Sequence, residues 1–174
     1  MRKIRIYCIL FFIFIGGQAF AEITPGPAAK NPGDLGLVIV ASETPDYIKE
    51  WLTTPPSHGV TIKRLKNAKP EQLIVAAFLI TGMSGNKDGN YEFSVSFYIL
   101  DPNNKPIFGQ ENYAKGNGKL PAKPMLRMAD PALDIVLEES DPEGIYTIVA
   151  QVKDLVNGKK ADDSYKIEFS KSEL

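Results

Sequence analysis

From residue 35 onward the chain is cut into short apolar stretches about ten residues apart, each closed by Gly, Pro, Asn or Asp. Punctuation at that spacing leaves no room for long helices. The apolar groups must then be buried as faces of strands, and roughly seven to nine strands of this kind suggest two sheets packed face to face. The expected fold is mostly β, a single two-sheet antiparallel sandwich with one short N-terminal helix. A closed barrel is the runner-up.

The stretches differ in what they ask of their surroundings. Residues 35–41 (LGLVIVA) read as the first strand. Residues 72–81 (QLIVAAFLIT) are apolar on both faces, as in a central strand covered on both sides. Tyr91, Phe93, Val95, Phe97 and Ile99 alternate with Glu92, Ser94, Ser96 and Tyr98, the clearest period of two in the chain. Alternation also appears at 60–65, 133–137 and 146–152, and in Tyr165, Ile167 and Phe169. Residues 107–108 read as a short strand followed by a Gly- and Lys-rich loop at 114–119, and 125–128 as a further short strand. Asn157-Gly158 is a hairpin signal. The single helical pattern lies at 45–52. Thr44 is a candidate N-cap and Pro45 suits the first turn, while Tyr47, Ile48, Trp51 and Leu52 share one face.

The N-terminus has the layout of a secretory signal at 1–21: Arg2, Lys3 and Arg5, an uncharged apolar run at 6–15, and Ala19-Phe20-Ala21 before the cleavage point. That run is too short for a permanent membrane anchor. A Pro/Gly-rich lead-in at 22–34 then precedes the sandwich domain at 35–174. The expected location is the periplasm or the extracellular medium. Cys8 is the one cysteine and falls within the signal, so the mature domain has no disulfide, thiolate metal site or cysteine nucleophile. Taking Arg2, Lys3 and Arg5 from 20 Lys+Arg leaves 17 against 21 Asp+Glu, a net charge of about −4. The charges are interspersed, without the basic footprint that a nucleic-acid partner needs.

The segment Asp141-Pro142-Glu143-Gly144-Ile145-Tyr146-Thr147-Ile148 resembles the turn and strand that carry the tyrosine of immunoglobulin-like and fibronectin-type-III-like sandwiches. Gly144 precedes the tyrosine by two, and Ile148 follows it by two, where antibody domains place a cysteine. The acidic residue usual four positions before the tyrosine is Pro142 here, with Asp141 one step further out. The likeness extends over about the last 115 residues and is similar to exported bacterial sandwich proteins of unassigned function. It implies a fold and two structural residues, Gly144 and Tyr146, rather than an activity. The Tyr146 ring is expected to fill the end of the core while its hydroxyl bonds backbone nearby.

Candidate chemistry is sparse. His58, the one histidine, sits in a Pro/Gly turn and has no second histidine for a zinc site. Residues 82–86 (GMSGN) approach the Gly-x-Ser-x-Gly elbow but end in Asn86 and precede a strand, not a helix. Asn86, Asp88 and Asn90 alternate oxygen-bearing side chains along a turn and are the best metal candidate, for calcium, although hairpin turns commonly have this composition. Tyr47 and Trp51 are the candidate partner-binding residues; the competing reading has the helix lying across an open end of the sandwich with both rings buried. The expectation is an exported, non-enzymatic interaction or accessory module, with a possible protein partner in the cell envelope and no cofactor. The alternative is a small-ligand or calcium-binding domain at the turn-rich end.

Overall fold

The computed structural model describes residues 33–55, 58–123 and 125–171, so the expected signal at 1–21 and most of the lead-in lie outside the described residues. Nine strands and one helix follow in order: β1 (Gly36–Ser42), α1 (Asp46–Thr53), β2 (Asn67–Ala68), β3 (Leu73–Thr81), β4 (Asn90–Leu100), β5 (Pro106–Lys119), β6 (Arg127–Met128), β7 (Leu133–Val136), β8 (Gly144–Asp154) and β9 (Lys160–Phe169). They form two sheets. In the smaller one β3 is central, with β1 on one side and β6 and β7 on the other; the larger has the order β2-β9-β8-β4-β5. The expectation of a purely antiparallel sandwich is corrected at one place, because β2 runs parallel to β9.

Alternation sorts the side chains as strand geometry requires. Tyr91, Phe93, Val95, Phe97 and Ile99 of β4 enter the main core with Tyr146, Ile148, Ala150 and Val152 of β8 and Tyr165, Ile167 and Phe169 of β9. From the opposite sheet come Leu37, Ile39 and Ala41 of β1 and Ile74, Ala76, Phe78 and Ile80 of β3. Four phenylalanines, Phe78, Phe93, Phe97 and Phe169, are fully buried, each contributing about 1.5–3 kcal/mol of transfer free energy. The other face of β3 is apolar for a separate reason. Val75, Ala77 and Leu79, with Val40 of β1, form a second small core against Tyr47, Ile48 and Trp51 of α1. The helix therefore lies on the outer face of the smaller sheet, not across an open end.

Turns are set by buried carboxylates. Asp101 Oδ1 accepts the Asn103 and Lys105 N–H groups at 2.8 and 2.9 Å, and Asp141 Oδ2 accepts Glu138 N–H at 2.8 Å. Asp154, wholly buried, accepts Val156 N–H at 2.9 Å with one oxygen and Ser84 N–H at 2.8 Å with the other. The Asp154 turn shapes the β8–β9 hairpin, whose connection runs over 155–159 and includes the Asn157-Gly158 pair. Tyr146 donates its hydroxyl to Pro142 O at 2.9 Å and meets Phe169 edge-on at 6.0 Å. That hydrogen bond contributes about 1 kcal/mol. Gly144 has φ +131°, and a Cβ there would lie 2.9 Å from Pro102 Cβ, so the tyrosine turn and the Asp101 turn pack together only through glycine.

Three local expectations are corrected. Residues 60–65 alternate but form no strand, because this segment changes sheets: Leu65 N–H bonds Ala41 O of β1, and Lys66 O accepts from Glu168 of β9. No continuous ladder is available to a segment in transit. The 114–119 loop is instead the second half of β5, paired with β4 from Asn90↔Lys119 to Val95↔Ala114. Thr44 does not cap the helix: α1 begins after Pro45, and the Thr44 hydroxyl donates to Asp46 Oδ2 at 2.9 Å.

Candidate functional site

Helix α1 is short: no side chain caps its N-terminus, while at its C-terminus Thr54 N–H bonds Glu50 O and the Thr53 hydroxyl donates to Lys49 O, each at 2.9 Å. Packing keeps it in place. Tyr47, at 5 % exposure, drops into the second core and donates its hydroxyl to Val75 O at 3.2 Å. Val75 pairs across the sheet with Asp134 of β7, which brings a carboxylate near that phenol. Burial first, and the Asp134 charge second, push the Tyr47 pKa well above its ordinary value. Partial burial likewise raises the carboxyl of Asp134. Ile48 and Trp51 are half-buried against the same cluster. Leu52, one residue beyond, is 74 % exposed, and Val38 of β1 is 39 % exposed on the same sheet face.

The two aromatic candidates are thus brought together on one helix but are used differently. The Tyr47 ring is spent on the sheet, while Trp51 keeps part of its surface open next to Leu52. Helical periodicity in the sequence identified the shared face of Tyr47, Ile48 and Trp51, but it also placed on that face Leu52, which is 74 % exposed. It carried no information on which sheet surface the face would meet.

The oxygen-bearing turn at 86–90 is also assembled as a unit. Asn86 Oδ1 accepts the N–H groups of Asp88 and Asn90 at 2.9 and 3.0 Å, Asn86 N–H bonds Asn90 O at 2.8 Å, and the Lys119 ammonium donates to Asp88 O at 2.7 Å. The side-chain oxygen of Asn86 and the carbonyl of Asp88 are therefore already engaged, the latter by a cation of the protein itself. Among the described residues no group of three or more His, Cys, Asp or Glu side chains is arranged to hold a metal ion. Ser84, in the broken elbow, accepts at Oγ from Asn157 Nδ2 at 2.6 Å and so ties two loops together. His58 lies in the exposed turn after α1, its N–H bonded to Pro55 O at 2.9 Å. No helix among the described residues is long and apolar enough to cross a membrane.

No protein-family model matches the chain, and no curated protein matches it. Among solved structures it is similar to a family 123 glycoside hydrolase from Clostridium perfringens, described for glycolipid glycan hydrolysis, at 13 % identity and a TM-score of 0.44. The alignment covers 79 % of this chain and 27 % of that one, so this chain spans about a quarter of that enzyme's length.

Proposed function

We propose that the chain is an exported, non-enzymatic β-sandwich that serves as a protein-interaction or accessory module in the cell envelope, docking through the outer rim of α1. The observation that carries this reading is the half-open Trp51 ring beside the 74 % exposed Leu52, on a helix laid over a sheet face. Aromatic and aliphatic anchors of this kind dominate binding energetics where a partner can desolvate them. The signal-like segment at 1–21 supports export. Buried Asp101, Asp141 and Asp154 accept backbone N–H groups in turns, a use of carboxylates that builds loops rather than chemistry.

The strand order supports an immunoglobulin-like or fibronectin-type-III-like arrangement. Within the larger sheet, β2 aside, the run β9-β8-β4-β5 is in the manner of G-F-C-C′, and the other sheet groups β1, β3 and β7 in the manner of A, B and E. The Tyr146 bond to Pro142, four residues back, matches the tyrosine corner of that class. Such sandwiches host many functions, so the docking role rests on α1 and not on the fold.

In-cell cross-linking of the tagged protein, with co-purified proteins identified by mass spectrometry, tests the proposal. A specific partner is expected, lost in Trp51→Ala and in the surface variant Leu52→Asp but retained in Asp88→Ala. Leu52→Asp guards against a trivial explanation, because an exposed side chain contributes little to folding. Absence of any specific partner, or a partner indifferent to both α1 variants, overturns it.

A further inference from the structure

A second surface, built by the segment that follows α1 together with β8 and β9, has the makings of a binding site. Where residues 64–67 pass beside β9, a groove of about 490 Å³ is lined by Arg64, Lys66, Tyr165, Lys166, Glu168 and Ile145, among others. Its volume falls within the range of small-molecule sites. Three cations meet one carboxylate there, in a chain whose overall charge is −1. Arg64, Lys66, Lys166 and Glu168 are all exposed there, so the groove carries an excess of positive charge at its surface.

Arg64 is not a loose surface cation. Its Nη2 donates to Ile39 O at 2.9 Å, and its guanidinium carbon sits 4.9 Å from the centre of the Tyr165 ring. Tyr165 is itself fixed, with its hydroxyl donating to Leu65 O at 2.7 Å. A guanidinium held by a carbonyl on one side and an aromatic face on another has lost most of its rotamer freedom before any ligand arrives. Its remaining N–H groups offer the planar fork that matches a carboxylate or phosphate, and two lysines supply further donors. Ile145, 51 % exposed, adds an apolar wall. We infer that this groove is a binding site for a small anionic molecule, a carboxylate or phosphate carried on an aromatic or apolar body, with Arg64 as the orienting fork. The inference is independent of docking at Trp51.

Titration of the purified protein with phenyl phosphate, followed by backbone amide NMR, tests it, with inorganic phosphate and benzyl alcohol as comparison probes. Phenyl phosphate is expected to bind saturably and to move the amide signals of residues 64–67 and 165–168. Inorganic phosphate is expected to bind more weakly at the same residues, and benzyl alcohol to leave them unmoved. Arg64→Lys keeps the charge but loses the fork and should raise Kd at least fivefold. Because Arg64 also braces β1, the Lys66→Gln/Lys166→Gln double variant provides the independent check and should raise Kd at least tenfold. Shifts that never saturate, that spread to Lys153 and Lys160, or that persist unchanged in the double variant overturn the assignment.

Discussion

Ionising a phenol inside an apolar cover costs free energy that the unfolded chain does not incur, and Tyr47 is placed to display this. Burial against Val40, Val75 and Leu79, with Asp134 nearby, raises its folded-state pKa above the ordinary value of about 10. The sign follows from linkage. A raised folded pKa means that the phenol's contribution is fully present below the unfolded value and is lost as pH rises toward the folded one. Stability is therefore expected to fall by about 1.4 kcal/mol per pH unit above pH ~10 on account of this group. Tyr47→Phe should cost about 1 kcal/mol near neutrality through the lost bond to Val75 O, and the gap should close and then reverse in strong alkali. Denaturant titrations of both proteins between pH 7 and 11.5 check it; parallel curves would sink the assignment. The sequence announced Tyr47 by its helical spacing with Ile48, Trp51 and Leu52. It held no sign of Asp134, which reaches the same spot from a strand almost ninety residues away. Arg64 was silent for the same reason, since its ring partner Tyr165 is about one hundred residues downstream.

At the scale of elements, β5 shows how a composition typical of loops is compatible with a strand. Gly116 faces Phe93 across the β4–β5 pair, and a Cβ at Gly116 would fall 2.2 Å from Phe93 Cζ. The ring lies over the glycine and is itself fully buried, stacked 6.0 Å from Tyr91. Glycine here is a space requirement, not a turn signal. Gly116→Ala is expected to cost about 2 kcal/mol through overpacking, with much of that recovered in combination with Phe93→Leu. A double-mutant cycle by urea denaturation measures the coupling; additive losses would mean that the ring and the glycine do not constrain each other. The strands easiest to read were those whose pattern is decided by burial alone: β3, apolar on both faces between the main core and α1, and β4, strictly alternating. Residues 60–65 misled for a complementary reason. They have the alternation of a strand, but they cross from one sheet to the other, and alternation reports extension rather than pairing.

At the scale of the whole molecule, the two sheets are joined by hydrogen bonds at both edges as well as by the core between them. On one side Lys115 of β5 exchanges two backbone bonds of 2.9 Å with Asp130, and Tyr113 donates to Ala132 O at 2.7 Å. On the other, the outer edge of β1 is met by Asp163 of β9, which accepts Ile39 N–H at 2.7 Å, by Arg64 at Ile39 O, and by Leu65 N–H at Ala41 O. An exposed β1 edge would present unpaired N–H and C=O groups to another chain, and this lacing covers it. The same contacts couple the parts of the molecule proposed to bind: β1 underlies α1 on its outer face, while its edge braces Arg64 in the cation-rich groove. Asp163→Ala should leave Ile39 N–H without its acceptor and lower stability by about 1–3 kcal/mol, with Asp163→Asn losing less because an amide oxygen still accepts. Hydrogen exchange gives the sharper reading. If the lacing closes the sandwich, exchange of Ile39 and its β1 neighbours should accelerate selectively in Asp163→Ala while β8 and β9 keep their protection. Uniform acceleration across both sheets would instead mean that β1 opens only when the whole sandwich does, and that the edge contact is a passenger on core packing.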